Sequence, residues 1–244
     1  HAEKIGERYR INGSKIWTTD AQHANKIFCL VRTRRDDSRQ AMSFLLVDMA
    51  TPGITVRPIR MLTGDHEFNQ VFFDNVEVNA DCLLGAEGEG WTVARYLLEI
   101  ERGSFVFGGR LRRRLQQLEQ RARARGALDA VMQDALARLH LDVLAYEVTE
   151  LRCGAAGSVH HAVTANMIKI EWTEIMQRMD ALTLRLARPD DLLAPPDAVL
   201  RDGEIGMPGW FASYFNNRAT TIYGGSNEIQ RNLVFRGLRE ALGS

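Results

Sequence analysis

The residues Gly224-Gly225-Ser226-Asn227-Glu228, within the run ATTIYGGSNEIQRNL (219–233), have the types and spacing to hold an anion. Paired glycines break the preceding element, and Ser226 or Asn227 suits the cap of a helix starting around Glu228, whose unpaired N–H groups then point back across the glycines. A phosphate fits such an end. The same residues also serve as a capped turn between two helices, and on chemistry alone both readings stand. A second concentration of charge is GGRLRRRLQQLEQRARARG (108–126), where Arg110, Arg112, Arg113, Arg114, Arg121, Arg123 and Arg125 crowd together. A solvated helix face, with Leu111, Leu115 and Leu118 turned inward, accounts for it better than a patch for a phosphorylated ligand. Glu99 and Glu101 are two carboxylates in one helical stretch; residues two apart on a helix diverge, so at most one of them faces a given cleft. Cys29, Cys82 and Cys153 are isolated, without CxxC or paired histidines, which fits buried thiols in a reducing compartment and no metal site.

Two textures position these residues. From Arg8 to about Val78 the runs KIFCLVRT, MSFLLVD, GITVRPI and NQVFFDNVEV alternate with polar connections, and Asn12-Gly13 in RYRINGSKIWTT has the pattern of a tight hairpin. An antiparallel β-barrel or sandwich is expected over residues 1–84. After LLGAEGEGW the pattern turns helical, with helices expected at about Gly90–Leu118, Leu128–Ala155, Ser158–Leu186 and Pro208–Arg218, and a last one after Gly225. Residues 85–244 are therefore expected to form an up-and-down four-helix bundle, and the proline-bearing segment 187–206 a surface loop. The chain has 244 residues, 45% of them hydrophobic, which is ample for a core. Lys+Arg and Asp+Glu both number 31, so no global field favours nucleic acid or an anionic membrane, and no apolar run is long enough to span a bilayer. The first residue is His1 rather than Met, and a further N-terminal segment, with any targeting signal, is expected ahead of it.

Several segments, taken in order, resemble one family, the acyl-CoA dehydrogenases. ATTIYGGSNEIQRNL is similar to that family's C-terminal flavin motif, YRINGSKIWTTDAQHAN to its middle-domain strand motif, and DMATPGITVRPIRMLTGDHEFNQVFFDNVEVNADCLLGAEGEGWTVARYLL to the rest of the β domain and the entry to the helical domain. The resemblance implies an acyl-CoA dehydrogenase-like α+β fold, FAD as cofactor, an acyl-CoA thioester as substrate, and oxidation to the trans-2-enoyl-CoA with electrons passed to an electron-transferring flavoprotein. The chemistry needs a base at the α carbon, donors at the thioester oxygen and a flat hydride acceptor opposite. Medium-chain-type members carry the base between the tyrosine and glycine of the C-terminal motif, but that position here is Gly224, which has no side chain. Other branches place it on the first long helix, immediately before an arginine; the matching pair in RYLLEIERGSF is Glu101 and Arg102, with Arg102 at a position that contacts CoA. An ion pair on the surface is the plainer role for both. Gly224 would offer its N–H to the thioester oxygen, and Gly225, Ser226, Asn227 and Glu228 would contact flavin. Trp17, Thr18 and Thr19 match the segment against the isoalloxazine, although Trp17 also suits a core aromatic.

Departures accompany the match. The family's T-E-P-G-x-G-S-D loop and N-terminal helical domain are absent, and neither R-x-F-G nor Q-x-x-G-G is evident in the helical middle, 110–205. That middle resembles bacterial, cytoplasmic members that pair as two different subunits, so a homo- or hetero-oligomer is expected. A non-catalytic subunit and an oxygen-using acyl-CoA oxidase stand as alternatives.

Overall fold

The computed structural model describes residues 1–36, 38–62, 66–104, 107–154, 161–188 and 209–243, with the backbone alone for 99–104, 154, 161, 162 and 209–211. The chain divides into two units, His1–Glu99 and Ile100–Ser244.

In the first unit, strands β1 (Ala2–Ile5), β2 (Arg8–Thr19), β5 (Ile54–Ile59) and β6 (Phe68–Asn79) form one antiparallel sheet in the order β1-β2-β6-β5, and β3 (Lys26–Arg32) pairs with β4 (Met42–Asp48) in a second. Tyr9, Ile11, Val71, Phe73, Val76 and Val78 from the first sheet share one core with Cys29, Val31, Leu45 and Val47 from the second, so the unit is a sandwich. The expected hairpin at Asn12-Gly13 does not form: β2 runs straight through it. Both halves of β2 pair with the long apolar β6, and the Asn-Gly pair sits opposite a bulge at Asp74-Asn75, where register slips between Ile11 and Gly13. Asn12 holds the bulge by accepting from the Asn75 N–H at 2.8 Å, and Asn75 takes φ 49°. The bulge has a packing reason. Asn69, Val71 and Phe73 face inward at odd positions, and the extra residue shifts the phase so that Val76 and Val78 also face inward.

The second unit is helical. The chain enters it within α1 (Gly90–Ser104); α2 (Gly108–Ala124), α3 (Ala130–Gly154), α4 (His161–Arg185), α5 (Gly209–Arg218) and α6 (Asn227–Ala241) follow. The single helix expected over Gly90–Leu118 is two, because α2 begins at Gly108, whose N–H donates to Glu150 Oε2 at 3.0 Å. A Cβ at Gly108 would stand 2.7 Å from Glu147 Cγ, so this close approach to α3 requires glycine. Leu111, Leu115, Leu118 and Ala122 of α2 are buried against Leu136, Leu139, Val143 and Tyr146 of α3 and Ile168, Ile175 and Met179 of α4. The inward leucines of the arginine-rich stretch are as expected, but Arg114 is not on a solvated face: it pairs with Asp180, which is 1% exposed. Residues 189–208, most of the expected proline-bearing loop, lie outside the described residues. Among the described residues no helix is long and apolar enough to cross a membrane.

Candidate active site

In the second unit the segment 224–228 is a left-handed turn feeding a capped helix. Gly224 and Gly225 take φ 65° and 88°, a region L side chains avoid. Ser226 is the N-cap of α6; its Oγ accepts from the Ile229 N–H at 3.4 Å, and the helix starts at Asn227, one residue earlier than expected. Two glycines here answer different demands. A Cβ at Gly224 would meet only Lys169 Cε, at 4.0 Å, whereas a Cβ at Gly225 would collide with Gln230 Nε2. The N–H groups of Gly224, Gly225 and Asn227 have no acceptor among the described residues. Glu228 folds back on its own N–H and on Ser226, which, with Arg231 and Lys169 nearby, holds its carboxyl below the usual range.

Beneath this turn lie polar residues that the pattern of the C-terminal motif does not reveal. Lys169 of α4 donates from Nζ to Asn227 Oδ1 at 2.8 Å, and Asn227 Nδ2 donates to Thr173 Oγ1 at 3.0 Å. Asn227 is 2% exposed and Gln230 fully buried; Gln230 Nε2 donates to the Gly224 carbonyl at 3.4 Å. Gln230 Oε1 is buried and has no partner among the described residues. Burial pushes the Lys169 ammonium down to about 8, against the pull of Glu228. Two turns beyond Thr173 along α4, Asp180 accepts from Arg114, from Ser213 Oγ at 3.2 Å and from Asn217 Nδ2 at 2.7 Å, while Gln177 Nε2 donates to the Asn217 carbonyl at 2.8 Å. Asn166, Lys169, Thr173, Gln177 and Asp180 thus form one stripe at helical spacing, and α5, the turn and α6 are fastened to it. That spacing was the available signal, since every third or fourth residue of α4 on this face is polar.

In the first unit, Trp17, Thr18 and Thr19 close β2. Register slips between Lys15 and Thr18, so that β2 carries an extra residue here, and Trp17 takes φ 61°. A bulky residue in that region is strained and needs support. Asn69, fully buried, supplies it: its Nδ2 donates to the Thr18 carbonyl at 3.3 Å and to Gln22 Oε1 at 2.5 Å, and its Oδ1 meets His66 Nε2 at 2.8 Å. Trp17 is not the core aromatic it resembles. It is 61% exposed, and its ring meets Phe68 edge-on at 6.1 Å and 83°. The bulge turns it out of the sandwich. Glu101 and Arg102 lie on α1, and their side chains fall outside the described residues, as does that of Glu99. Cys29 and Cys153 are buried as expected, and Cys82 is half-buried. Trp17–Thr19 belong to the first unit, Gly224–Glu228 to the second.

The chain thus joins a β-sandwich unit, with a strained aromatic at a strand end, to a helical unit whose last helix is capped by a glycine turn. Residues 1–76 match the family described as "Acyl-CoA dehydrogenase, middle domain", and residues 88–239 match "Acyl-CoA dehydrogenase, C-terminal domain". The chain belongs to the acyl-CoA dehydrogenase family. It is 36% identical over 237 residues to acyl-CoA dehydrogenase IpdE1 of Mycobacterium tuberculosis, an alignment covering 96% of this chain and 60% of that protein. Among solved structures, the ChsE4-ChsE5 complex from M. tuberculosis superposes with a TM-score of 0.78 at 23% identity, over 100% of this chain and 63% of that one. An acyl-CoA dehydrogenase from Geobacillus kaustophilus does so with a TM-score of 0.79 at 22% identity, over 97% and 63%. The chain therefore spans about 60% of the length of IpdE1.

Proposed function

We propose that this chain is the middle and C-terminal part, residues 1–84 and 85–244, of an FAD-dependent acyl-CoA dehydrogenase that converts an acyl-CoA thioester to the trans-2-enoyl-CoA. The observation that carries the reading is the turn at Gly224–Glu228: positive φ at both glycines, unpaired N–H groups and a Ser226-capped helix, in a chain of this family. The residues fit a phosphate-bearing planar cofactor. Gly225 leaves no room for a side chain, the N-terminus of α6 favours an anion, and the buried Gln230 Oε1, unpaired among the described residues, would accept from a hydroxyl of such a cofactor. Gly225, Ser226, Asn227 and Glu228 would hold the FAD, with Trp17, Thr18 and Thr19 lying against its ring system; the exposed, outward-turned Trp17 supports that role. The bound flavin supplies a two-electron acceptor for the hydride leaving the substrate β carbon.

The chain's own residues supply the rest. Glu101, as carboxylate, takes the α proton onto a carboxyl oxygen, and the Gly224 N–H donates to the thioester oxygen as enolate charge grows there. A glycine serves that donor role as well as any residue, and its φ of 65° orients the N–H without steric cost. Arg102 contacts the CoA part. The electrons then pass to an electron-transferring flavoprotein in the bacterial cytoplasm. The protein works as a homo- or hetero-oligomer, a reading supported by the exposed stripe Leu141, Leu144, Val148 and Leu151 on α3, whose exposures run from 49% to 75%.

The test uses the full-length protein with its preceding domain. Wild type and Glu101→Gln are mixed anaerobically with a panel of acyl-CoAs and the flavin band is followed. Wild type is expected to bleach, and Glu101→Gln to keep its flavin and stay yellow. Bleaching of Glu101→Gln at the wild-type rate removes Glu101 as base, and a wild type that binds flavin yet never bleaches removes the dehydrogenase reading.

A further inference from the structure

Lys169 is 6% exposed, and its Nζ rests against Asn227, the first residue of α6. That position is unfavourable for a cation on two counts. The N-terminus of a helix is the positive end of its dipole, and a buried ammonium loses its hydration. Among the described residues no carboxylate pairs with it, and its hydrogen-bond partner is the neutral Asn227 amide. The lysine stem passes Gly224, its Cε 4.0 Å from where a Cβ would stand, so the charge lies next to the turn whose N–H groups have no acceptor among the described residues. The stripe that holds Lys169 is thus short of one anion.

We propose that Lys169 is a positioning residue for the cofactor's diphosphate, fixing the first turn of α6 through Asn227 and supplying the buried positive charge that an anion seated on the 224–228 turn would complete. The inference rests on the flavin reading above. The charge that acts on Lys169 is Glu228 of α6; Glu171 and Glu174 lie on the other polar side of α4, where Glu174 is engaged by Arg231 at 2.5 Å. From α3, Asp142 acts on Glu171 and pairs with Arg178 at 2.6 Å. Glu228 alone opposes the depression of the lysine, and it is exposed and committed to its own N–H and Ser226.

The linkage has a definite sign. Burial places the ligand-free ammonium at about 8. An anion above it favours the charged form and raises that value, so affinity is complete below pH 8 and falls as pH climbs through the bound value. A rise of one unit gives a loss on the order of fivefold between pH 7 and 9. Full-length protein stripped of flavin is titrated with FAD, and separately with CoA, across this range. The expected result is a falling FAD affinity for wild type, a flat profile for Lys169→Arg, and a flat profile at least roughly tenfold weaker at pH 7 for Lys169→Met. Equal FAD affinity of Lys169→Met and wild type at pH 7 overturns the proposal, as does a lysine dependence seen with CoA and not with FAD. Should Lys169→Met fail to fold, the wild-type profile decides alone: a flat one from pH 7 to 9 refutes the role. A wild type that takes up no FAD removes the flavin reading itself, and the inference with it.

Discussion

Gly224 and Gly225 share a left-handed conformation but not an environment, so alanine at each should separate backbone strain from crowding. An L residue in that region costs about 1–2 kcal/mol, and at Gly224, where the nearest atom is Lys169 Cε at 4.0 Å, nothing is added to it. At Gly225 the new methyl collides with Gln230 Nε2, and Gln230 is fully buried with nowhere to retreat. Its bond to the Gly224 carbonyl is lost, which adds about 1 kcal/mol, and the side chain must shift in a packed site, which adds about as much again. Gly225→Ala should therefore cost about 3 kcal/mol against about 1 for Gly224→Ala. For a unit of this size the melting temperature would fall by roughly 6–12 °C in the first case and 2–4 °C in the second. Thermal unfolding by circular dichroism, with flavin content measured alongside, reads both. A double-mutant cycle sharpens the test: with Gln230→Ala in place the collision partner is gone, and Gly225→Ala should cost only the strain, about 1 kcal/mol. Equal losses for the two glycines, or additive effects of Gly225→Ala and Gln230→Ala, would refute the crowding argument.

Asp180→Ala should destabilise the helical unit by about 3–5 kcal/mol, since it strands Arg114, while the paired change Arg114→Met with Asp180→Leu should cost less than Asp180→Ala alone; urea unfolding compares them. Trp17→Gly trades about 1–2 kcal/mol of left-handed strain for an edge contact with Phe68 worth about 0.5–1.5, so stability should stay within about 1 kcal/mol of wild type while flavin is held more weakly. A large stability loss in Trp17→Gly would mean that the ring supports the sandwich after all. Burial pushes the Cys29 thiol up from 9.0 to about 11, against the pull of Lys15. Its contribution to stability is fully present below pH 9 and is lost as pH rises toward 11, about 2–3 kcal/mol in all. Lys169, Cys82 and Cys153 also titrate differently in the two states across pH 9 to 10, and Tyr9 above 10, so the diagnostic is a difference: between pH 9 and 10 wild type should lose stability relative to Cys29→Ala, and parallel profiles would refute the assignment.

Features set by repeating chemistry were legible before the fold was known. Leu111, Leu115 and Leu118 recur at helical spacing and are buried, and the apolar runs of residues 26–33, 42–48 and 69–78 contain β3, β4 and most of β6. Local signals with two physical uses misled. Asn12-Gly13 can turn a chain or face a bulge, and only the length of β6, some sixty residues on, decides for the bulge. Trp17 reads as core because tryptophan is large and apolar, yet the extra residue that turns it outward has no signature in the strand itself. Glycine at 224 and 225 was legible as a turn, but the reason 225 tolerates nothing larger is Gln230, a residue the motif does not mark as special.

The stripe on α4 was the part of the site most available to sequence and least read. Alpha4 is polar on two sides: Glu171, Glu174, Arg178 and Arg185 on one, and Asn166, Lys169, Thr173, Gln177 and Asp180 on the other, with Ile168, Ile175, Met176 and Met179 between. A helix with one polar face needs only solvent there, whereas a central helix that others contact on several sides has to bury the second face. Burial then selects composition. The solvent face is rich in charge, while the inner face mixes amides and a hydroxyl with one cation and one carboxylate; Lys169, Thr173 and Asp180 are answered by side chains from α2, α5 or α6, and Gln177 by the Asn217 carbonyl. The carboxylate finds its cation in Arg114; the cation finds only an amide. That asymmetry is the physical basis for the proposal that the turn above Lys169 seats an anion, and FAD titration of wild type against Lys169→Met decides it.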